Sequence, residues 1–269
     1  YAVADGLQKI KHNWRKVGLR ALVVAGGNGT LSVALRMHRD EGYPVVGVTK
    51  TIDNDINGTD FTFGFDTAVQ VATDAIDRLH TTAESHHRVM VIEVMGRHTG
   101  WIAAYAGIAG AADVILVPEV PFRMSAIAES LARRREMGRP HSIVVVAEDA
   151  KPHPDEDFLT DAQKQVVYRE ERLGGVGQLV ARELERLTGI EARVSVLGYI
   201  QRGGTPTAFD RVLASRLGVH AVEMVLDGKF GRMAALSANR MVDVALEDAV
   251  SGEKFLDPEI YRSAQVFFG

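Results

Sequence analysis

Cysteine is absent from the 269 residues, which excludes disulfides, thiolate metal sites and a thiol nucleophile, and suits a cytoplasmic protein. No apolar run approaches the roughly 20 residues that a bilayer-spanning helix needs, and the charged-then-apolar head of a signal peptide is missing. There is no basic excess either: 31 Lys and Arg stand against 35 Asp and Glu, for a net charge of −4. That balance argues against a general nucleic-acid or anionic-membrane surface. Short repeats, low-complexity tracts and Gly/Ser linkers are lacking. His86 and His87 have no metal-ligand spacing with carboxylates and read as helix-end or surface residues. An initiating Met is missing as well. The chain opens on Tyr1 and runs into a helical pattern over residues 3–17, as expected of a trimmed sequence.

In bulk the composition is that of a soluble globular protein, 46% apolar and 25% charged, and its length allows one or two domains. Strand-like runs recur at 21–25, 45–48, 89–94, 114–118, 143–147 and 193–197. Helical patterns alternate with them, starting at Leu31 and then covering 65–82, 101–111, 124–137 and 177–187. Such alternation predicts α/β layers around a mostly parallel sheet. Residues 150–161, rich in Pro and Asp, read as a solvated loop.

Thr49-Lys50-Thr51-Ile52-Asp53-Asn54-Asp55 crowds acidic, amide and hydroxyl groups onto one loop. Phosphorylating an alcohol needs a carboxylate beside the attacking hydroxyl and neutral or cationic groups beside the phosphates. Asp53 can fill the first role, Thr51 and Lys50 the second; an acidic surface turn is the alternative reading of this stretch alone. About 20 residues upstream, an apolar run feeds Gly26-Gly27-Asn28-Gly29-Thr30. A strand, glycine turn and helix start aims backbone N–H groups at an anion, and glycine permits close approach and positive φ. Both loops close strands at their carboxyl ends, where open parallel sheets bind ligands. A third strand ends in Met95-Gly96-Arg97-His98-Thr99-Gly100, with Arg97 a forked phosphate donor, and a fourth ends in Glu148-Asp149. Arg202, in Gly198-Tyr199-Ile200-Gln201-Arg202-Gly203-Gly204, is a second phosphate candidate; Arg88 and Arg193 at strand starts are weaker ones.

In this order, Gly26-Gly27-Asn28-Gly29-Thr30, Lys50 to Asp55, Met95 to Trp101 and Gly198 to Gly204 resemble the motifs of 6-phosphofructokinases, along essentially the whole chain. Pro206 to Arg211 and Phe267-Phe268-Gly269 look like the actinobacterial-type branch. The resemblance implies two similar three-layer α/β lobes with mostly parallel sheets. A nucleotide lobe would comprise 1–64 plus 201–252, and a fructose 6-phosphate lobe 65–200 plus 253–269. It implies the glycolytic transfer of a phosphoryl group to the C1 hydroxyl of fructose 6-phosphate, with Mg²⁺, in a homodimer or homotetramer with shared sites.

By the same resemblance Asp53 is the general base, Asp55 a supporting carboxylate, and Thr51 a neighbour of the transferred group. Met95, Gly96 and Arg97 form the sugar-phosphate segment, with Arg97 also near the transferring phosphate, and Glu148 accepts from a sugar hydroxyl. Arg88, Arg193 and Arg202 bind the sugar phosphate, the first two across a subunit boundary. Ile52, Tyr199, Ile200 and Gln201 complete the substrate segments, and Gly27 to Thr30 form the nucleotide-phosphate loop. Asn28 stands where the family has an acid that helps to hold Mg²⁺, and Tyr199 where many members have His. The family's N-terminal βα unit, with a glycine-rich nucleotide loop and a catalytic arginine, has no counterpart here. Gly29 leaves room for the inner phosphate of ATP, whereas Lys50 is the residue of pyrophosphate users, so ATP is the expected donor and pyrophosphate the alternative. A catalytically weak subunit that binds sugar phosphate is a further alternative. Lipid and dinucleotide kinases share a similar glycine turn but lack the segments at Met95 and Ile200.

Overall fold

The structure is a computed structural model that describes residues 6–156, 158–159 and 174–266. In chain order its elements are α1 (Gly6–Val17), β1 (Leu22–Gly26), α2 (Asn28–Glu41), β2 (Val45–Thr51), β3 (Phe63–Gly64), α3 (Phe65–His86), β4 (Val89–Val94) and α4 (Trp101–Ala109). Then come β5 (Val114–Leu116), α5 (Met124–Glu136), β6 (Ser142–Ala147), α6 (Val176–Thr188) and β7 (Ala192–Val196). A 3₁₀ turn (Gly198–Arg202) precedes α7 (Ala208–Leu226), β8 (Arg232–Ser237), β9 (Arg240–Ala245), α8 (Leu246–Ala249) and α9 (Pro258–Gln265). No helix among the described residues is long and apolar enough to cross a membrane.

Two compact units divide the described residues. One holds those up to Lys50 with Ile56–Asp60 and Leu213–Gly252; the other holds Thr51–Asp55, Phe61–Val212 and those from Glu253 onward. The division differs from the expected limits at 64/65 and 200/201: Thr51 to Asp55, Phe61 to Gly64 and Gln201 to Val212 go with the second unit. The reason is hydrogen bonding, since Thr62 is bonded to Thr51 and Asn54, and Asp210 to Gly64 and Thr67.

In the first unit the strands run β1-β2-β8-β9, the first three parallel and β9 antiparallel to β8. Leu31, Ala34 and Met37 recur at helical spacing and bury one face of α2 with Val45, Ile56, Met233 and Leu246. Gly42 ends α2 in a left-handed conformation, its N–H bonded to the His38 carbonyl at 2.9 Å. The β8–β9 hairpin was not expected from the sequence. Its turn residues Ala238 and Asn239 both take positive φ (45° and 64°) without the glycine that usually announces such a turn. Asp60 accepts the Ala238 N–H at 2.7 Å and Arg216 donates to the Asn239 carbonyl at 2.7 Å, so tertiary bonds hold the strained pair.

The second unit has an all-parallel sheet in the order β5-β6-β4-β7. β4 (Val-Met-Val-Ile-Glu-Val) and β6 (Ser-Ile-Val-Val-Val-Ala) are buried at all six positions, the mark of strands covered on both faces. Helices α3 and α4 pack together, α3 touching β4 and β6 and α4 touching β5 and β6; α5 packs with α6, which touches β4, β6 and β7. Ala68, Ala72 and Ala83 place small residues along the buried stripe of α3, which lets it lie close to α4. His86 is the last residue of α3 and His87 its left-handed cap, as the sequence predicts. Residues 150–156 form no helix or strand beyond a single bridge at Pro152; residues 157 and 160–161 of the expected loop, and 267–269, lie outside the described residues.

Candidate active site

Most of the expected sugar-side residues gather in the second unit. At its core is the sharp turn Thr51–Asp55. The Thr51 hydroxyl accepts the Asp53 N–H at 3.2 Å and donates to Asp53 Oδ2 at 3.3 Å. Asn54 takes a left-handed φ of 54°, its Oδ1 accepts the Thr62 N–H at 3.0 Å, and the Thr62 hydroxyl donates to the Thr51 carbonyl at 2.8 Å. Asp53 and Asp55 are thereby buried, 5% and 4% exposed. Asp53 Oδ1 makes no hydrogen bond among the described residues. Burial above all, then the charge of Asp55, pushes the Asp53 carboxyl up to about 6; Arg202 and the Thr51 bond pull it back and Glu148 adds to the rise. A carboxylate so tuned is ionised at neutral pH and close to the ideal of a general base.

Beside it lie the ends of β4 and β6, paired with Val94 opposite Ala147. This register sets Glu148 next to the Gly96–Arg97 bend, and its Oε1 accepts both N–H groups, at 3.2 and 2.9 Å. Gly96 has φ 148°, and a Cβ there would come within 2.6 Å of the Thr99 carbonyl oxygen, so only glycine fits. Burial raises the Glu148 carboxyl, while the bonds from Arg97 and Gly96 oppose it. Glu148 Oε2 makes no hydrogen bond among the described residues, which leaves it for a hydroxyl. The side chain of buried Gln201 accepts the Met95 N–H at 3.3 Å and so brings the 3₁₀ turn to the end of β4. Arg97 and Arg202 are exposed and make no ion pair among the described residues. Ile52 packs against the core, whereas Tyr199 and Ile200 are 84% and 62% exposed.

Two expected ligands stand apart. Arg88 immediately precedes β4 and Arg193 is the second residue of β7, at the opposite end of the sheet from Met95. Six strand residues at about 3.3 Å each separate the ends, roughly 20 Å. Both arginines meet Glu191 instead, Arg88 Nε at 2.5 Å from its Oε2 and Arg193 on its Oε1. These ion pairs, the Arg88 bond foremost, hold the Glu191 carboxyl below its usual range. Strand direction alone keeps Arg88 and Arg193 away from Arg97 and Arg202 of the same chain.

In the first unit the glycine turn leads straight into α2, which starts at Asn28 rather than at Leu31. Gly27, in extended conformation, precedes the helix, and Asn28, Gly29 and Thr30 form its first turn. Their N–H groups and the helix dipole make an anion seat. Positive φ is not used at Gly26, Gly27 or Gly29. Gly26 is needed for another reason: a Cβ there would meet the Thr30 side chain at 2.4 Å, whereas Gly29 faces open space. Gly26 pairs with Thr49 of β2, so exposed Lys50 is the next residue along that strand.

A sequence model of the phosphofructokinase family matches residues 2–225. The chain belongs to the phosphofructokinase family. It is 52% identical over 266 residues to a pyrophosphate–fructose 6-phosphate 1-phosphotransferase of Streptomyces coelicolor, covering 98% of this chain and 77% of that one. It is 50% identical over 264 residues to an ATP-dependent 6-phosphofructokinase of Corynebacterium efficiens, covering 98% and 76%. Among solved structures, the phosphofructokinase of Saccharomyces cerevisiae superposes with a TM-score of 0.74 at 29% identity, over 94% of this chain and 34% of that one.

Phosphofructokinase membership raises the question of Mg²⁺. No group of three or more His, Asp or Glu is gathered to hold a metal ion among the described residues. The amide of Asn28, at the start of α2, instead offers a single oxygen. That donor set fits an ion that keeps most of its waters and arrives with phosphate ligands.

Sequence reasoning missed Asp210. Buried at 3% exposure, it accepts the N–H groups of Gly64 and Thr67, each at 2.8 Å, and the Thr67 hydroxyl. It thus ties the segment after Arg202 to the first turn of α3. The signal was present: Thr207-Ala208-Phe209-Asp210 has capping-box spacing, and the Asp210 N–H bonds the Thr207 hydroxyl at 3.2 Å. Asp149 holds His98, the residue after the Gly96–Arg97 bend, at 2.9 Å.

Proposed function

We propose that this phosphofructokinase transfers a phosphoryl group to the C1 hydroxyl of fructose 6-phosphate, with ATP as donor. The observation that carries the reading is the Asp53 carboxylate: buried, with an unpartnered Oδ1, and flanked by Arg202, the Gly96–Arg97 bend and Glu148. Asp53 takes the hydroxyl proton as the oxygen attacks the terminal phosphorus, whose bond to the bridging oxygen breaks to release ADP. Arg97 and Arg202 neutralise phosphate charge, and Glu148 Oε2 accepts from a sugar hydroxyl. Such a reaction needs positioning and charge neutralisation rather than covalent catalysis. The first turn of α2 seats the donor's inner phosphates, and the space at Gly29 supports a nucleotide. Magnesium, when bound, would neutralise the donor's phosphates, with the amide of Asn28 offering a protein-side oxygen. Arg88 and Arg193, turned away from their own chain's bend, suit a second copy that completes the sugar-phosphate site.

Pyrophosphate is the second reading, favoured by exposed Lys50 and by the name of the Streptomyces relative. The deciding experiment measures fructose 1,6-bisphosphate formation by the full chain with Mg·ATP and with Mg·pyrophosphate. Turnover with ATP is expected. Turnover with pyrophosphate alone overturns the donor assignment, and silence with both donors, with sugar phosphate still bound, favours a regulatory subunit.

A further inference from the structure

Thr99 and Trp101 have no role in the reaction as described, yet both hold the backbone of the Asp53 turn, Thr99 from just before α4 and Trp101 from its first residue. The Thr99 side chain is 1% exposed, and its hydroxyl lies 3.3 Å from the Asp53 carbonyl oxygen and 3.2 Å from that of Gly96. One hydroxyl therefore serves the turn that carries the base and the bend that carries the sugar phosphate. The Asp55 carbonyl accepts the Lys254 N–H at 2.9 Å, and the Lys254 carbonyl accepts the indole N–H of Trp101 at 2.8 Å. The Lys254 ammonium sits 4.9 Å from the centre of the same indole. Two residues on, the Leu256 N–H bonds Glu119 Oε1 at 2.9 Å, and Glu119 also accepts the Gly100 N–H at 3.0 Å. Residues 254–256 are thus stitched to α4 on one side and to the acidic turn on the other.

We propose that Thr99 and Trp101 are positioning residues for the base. Thr99 fixes the Asp53 carbonyl directly, and Trp101 fixes the Asp55 carbonyl through Lys254. The need follows from the side chain itself. Asp53 has one long bond, to Thr51, and a free Oδ1, so the backbone sets where its carboxylate points. The buried charges of Asp53 and Asp55 repel each other, which favours opening of the turn unless its carbonyls are held. Because Thr99 also holds Gly96, base and sugar-phosphate bend keep one fixed spacing. A displacement of about 1 Å at such a spacing costs on the order of 100-fold in rate.

The inference rests on the phosphotransferase reading, and its test separates the two. Thr99→Val keeps the shape and removes the hydroxyl, Thr99→Ser keeps the hydroxyl, and Trp101→Phe keeps a ring without its N–H. Thr99→Val and Trp101→Phe are expected to lower kcat about tenfold or more. The KM for fructose 6-phosphate should stay within about twofold and Tm within about 5 °C of the parent. Thr99→Ser should recover most of the rate. Parental kcat in Thr99→Val, or no recovery in Thr99→Ser, overturns the assignment. So does a rate loss that tracks a larger fall in Tm, because that marks a purely structural role. If the unsubstituted chain turns over neither donor, the phosphotransferase reading falls instead. Hydrogen exchange of the 51–55 amides then decides the clamp: faster exchange in Thr99→Val supports it, and unchanged exchange refutes it.

Discussion

Replacing Asp53 by Asn is expected to abolish turnover and to make the protein more stable at pH 8. In the folded chain the Asp53 carboxyl titrates at about 6, against about 4 in an unfolded chain. The folded state therefore binds the proton more tightly, and stability falls as pH rises from about 4 to about 6. A difference of about 2 in pKa corresponds to about 3 kcal/mol, the cost of keeping the buried carboxylate ionised at neutral pH. Asparagine removes that cost, but its amide hydrogens need acceptors, and one left unmatched returns about 1–3 kcal/mol. The carboxylates of Asp55 and Glu148, which act on Asp53 through their charge, are the nearby acceptors. A net gain of up to about 2 kcal/mol is expected, a rise in Tm of up to about 6 °C for a chain of this size. Calorimetric scans of parent and variant at pH 8 and pH 4.5, at one scan rate, measure it. The gap should be widest at pH 8 and shrink at pH 4.5. Turnover should fall by about 10³ or more with fructose 6-phosphate binding nearly intact. A variant that melts below the parent at pH 8, or a gap independent of pH, refutes the electrostatic account. Near-normal turnover refutes the base.

Two further outcomes follow from the same geometry. The acid limb of kcat/KM should fall near pH 6, and Arg202→Met, by removing a charge that pulls the Asp53 carboxyl down, should move that limb to higher pH and raise the KM for fructose 6-phosphate; a limb that stays put or moves down in pH profiles contradicts the placement of Arg202. Gly96→Ala forces a side chain into φ 148° and onto the Thr99 carbonyl, so it should destabilise by about 2 kcal/mol and raise the same KM about tenfold or more, and parental values in denaturation and kinetics would show that the bend tolerates a Cβ.

Local pattern carried much of this protein. Continuous β-branched runs mark β4 and β6 because strands covered on both faces need no polar alternation, and α3, α4 and α5 begin at Phe65, Trp101 and Met124 as the periodicity predicts. Gly96 and Glu148 follow the carboxyl ends of β4 and β6 and Asp53 follows that of β2, a placement legible in the sequence pattern by itself. The β8–β9 hairpin was not, because Ala238 and Asn239 hold their turn only with help from Asp60 and Arg216. Nor was the helix start at Asn28, or the reason for Gly26, which is a contact with Thr30 rather than positive φ. Residue types and their order along the chain determined which groups are available for phosphoryl transfer. Only the tertiary structure decided how they behave. Burial and summed charge set the proton affinity of Asp53, strand direction parts Arg88 and Arg193 from Arg97, and bonds between residues 46 and 51 positions apart fix the turn and the bend. Such effects act through space, and no stretch of sequence contains them.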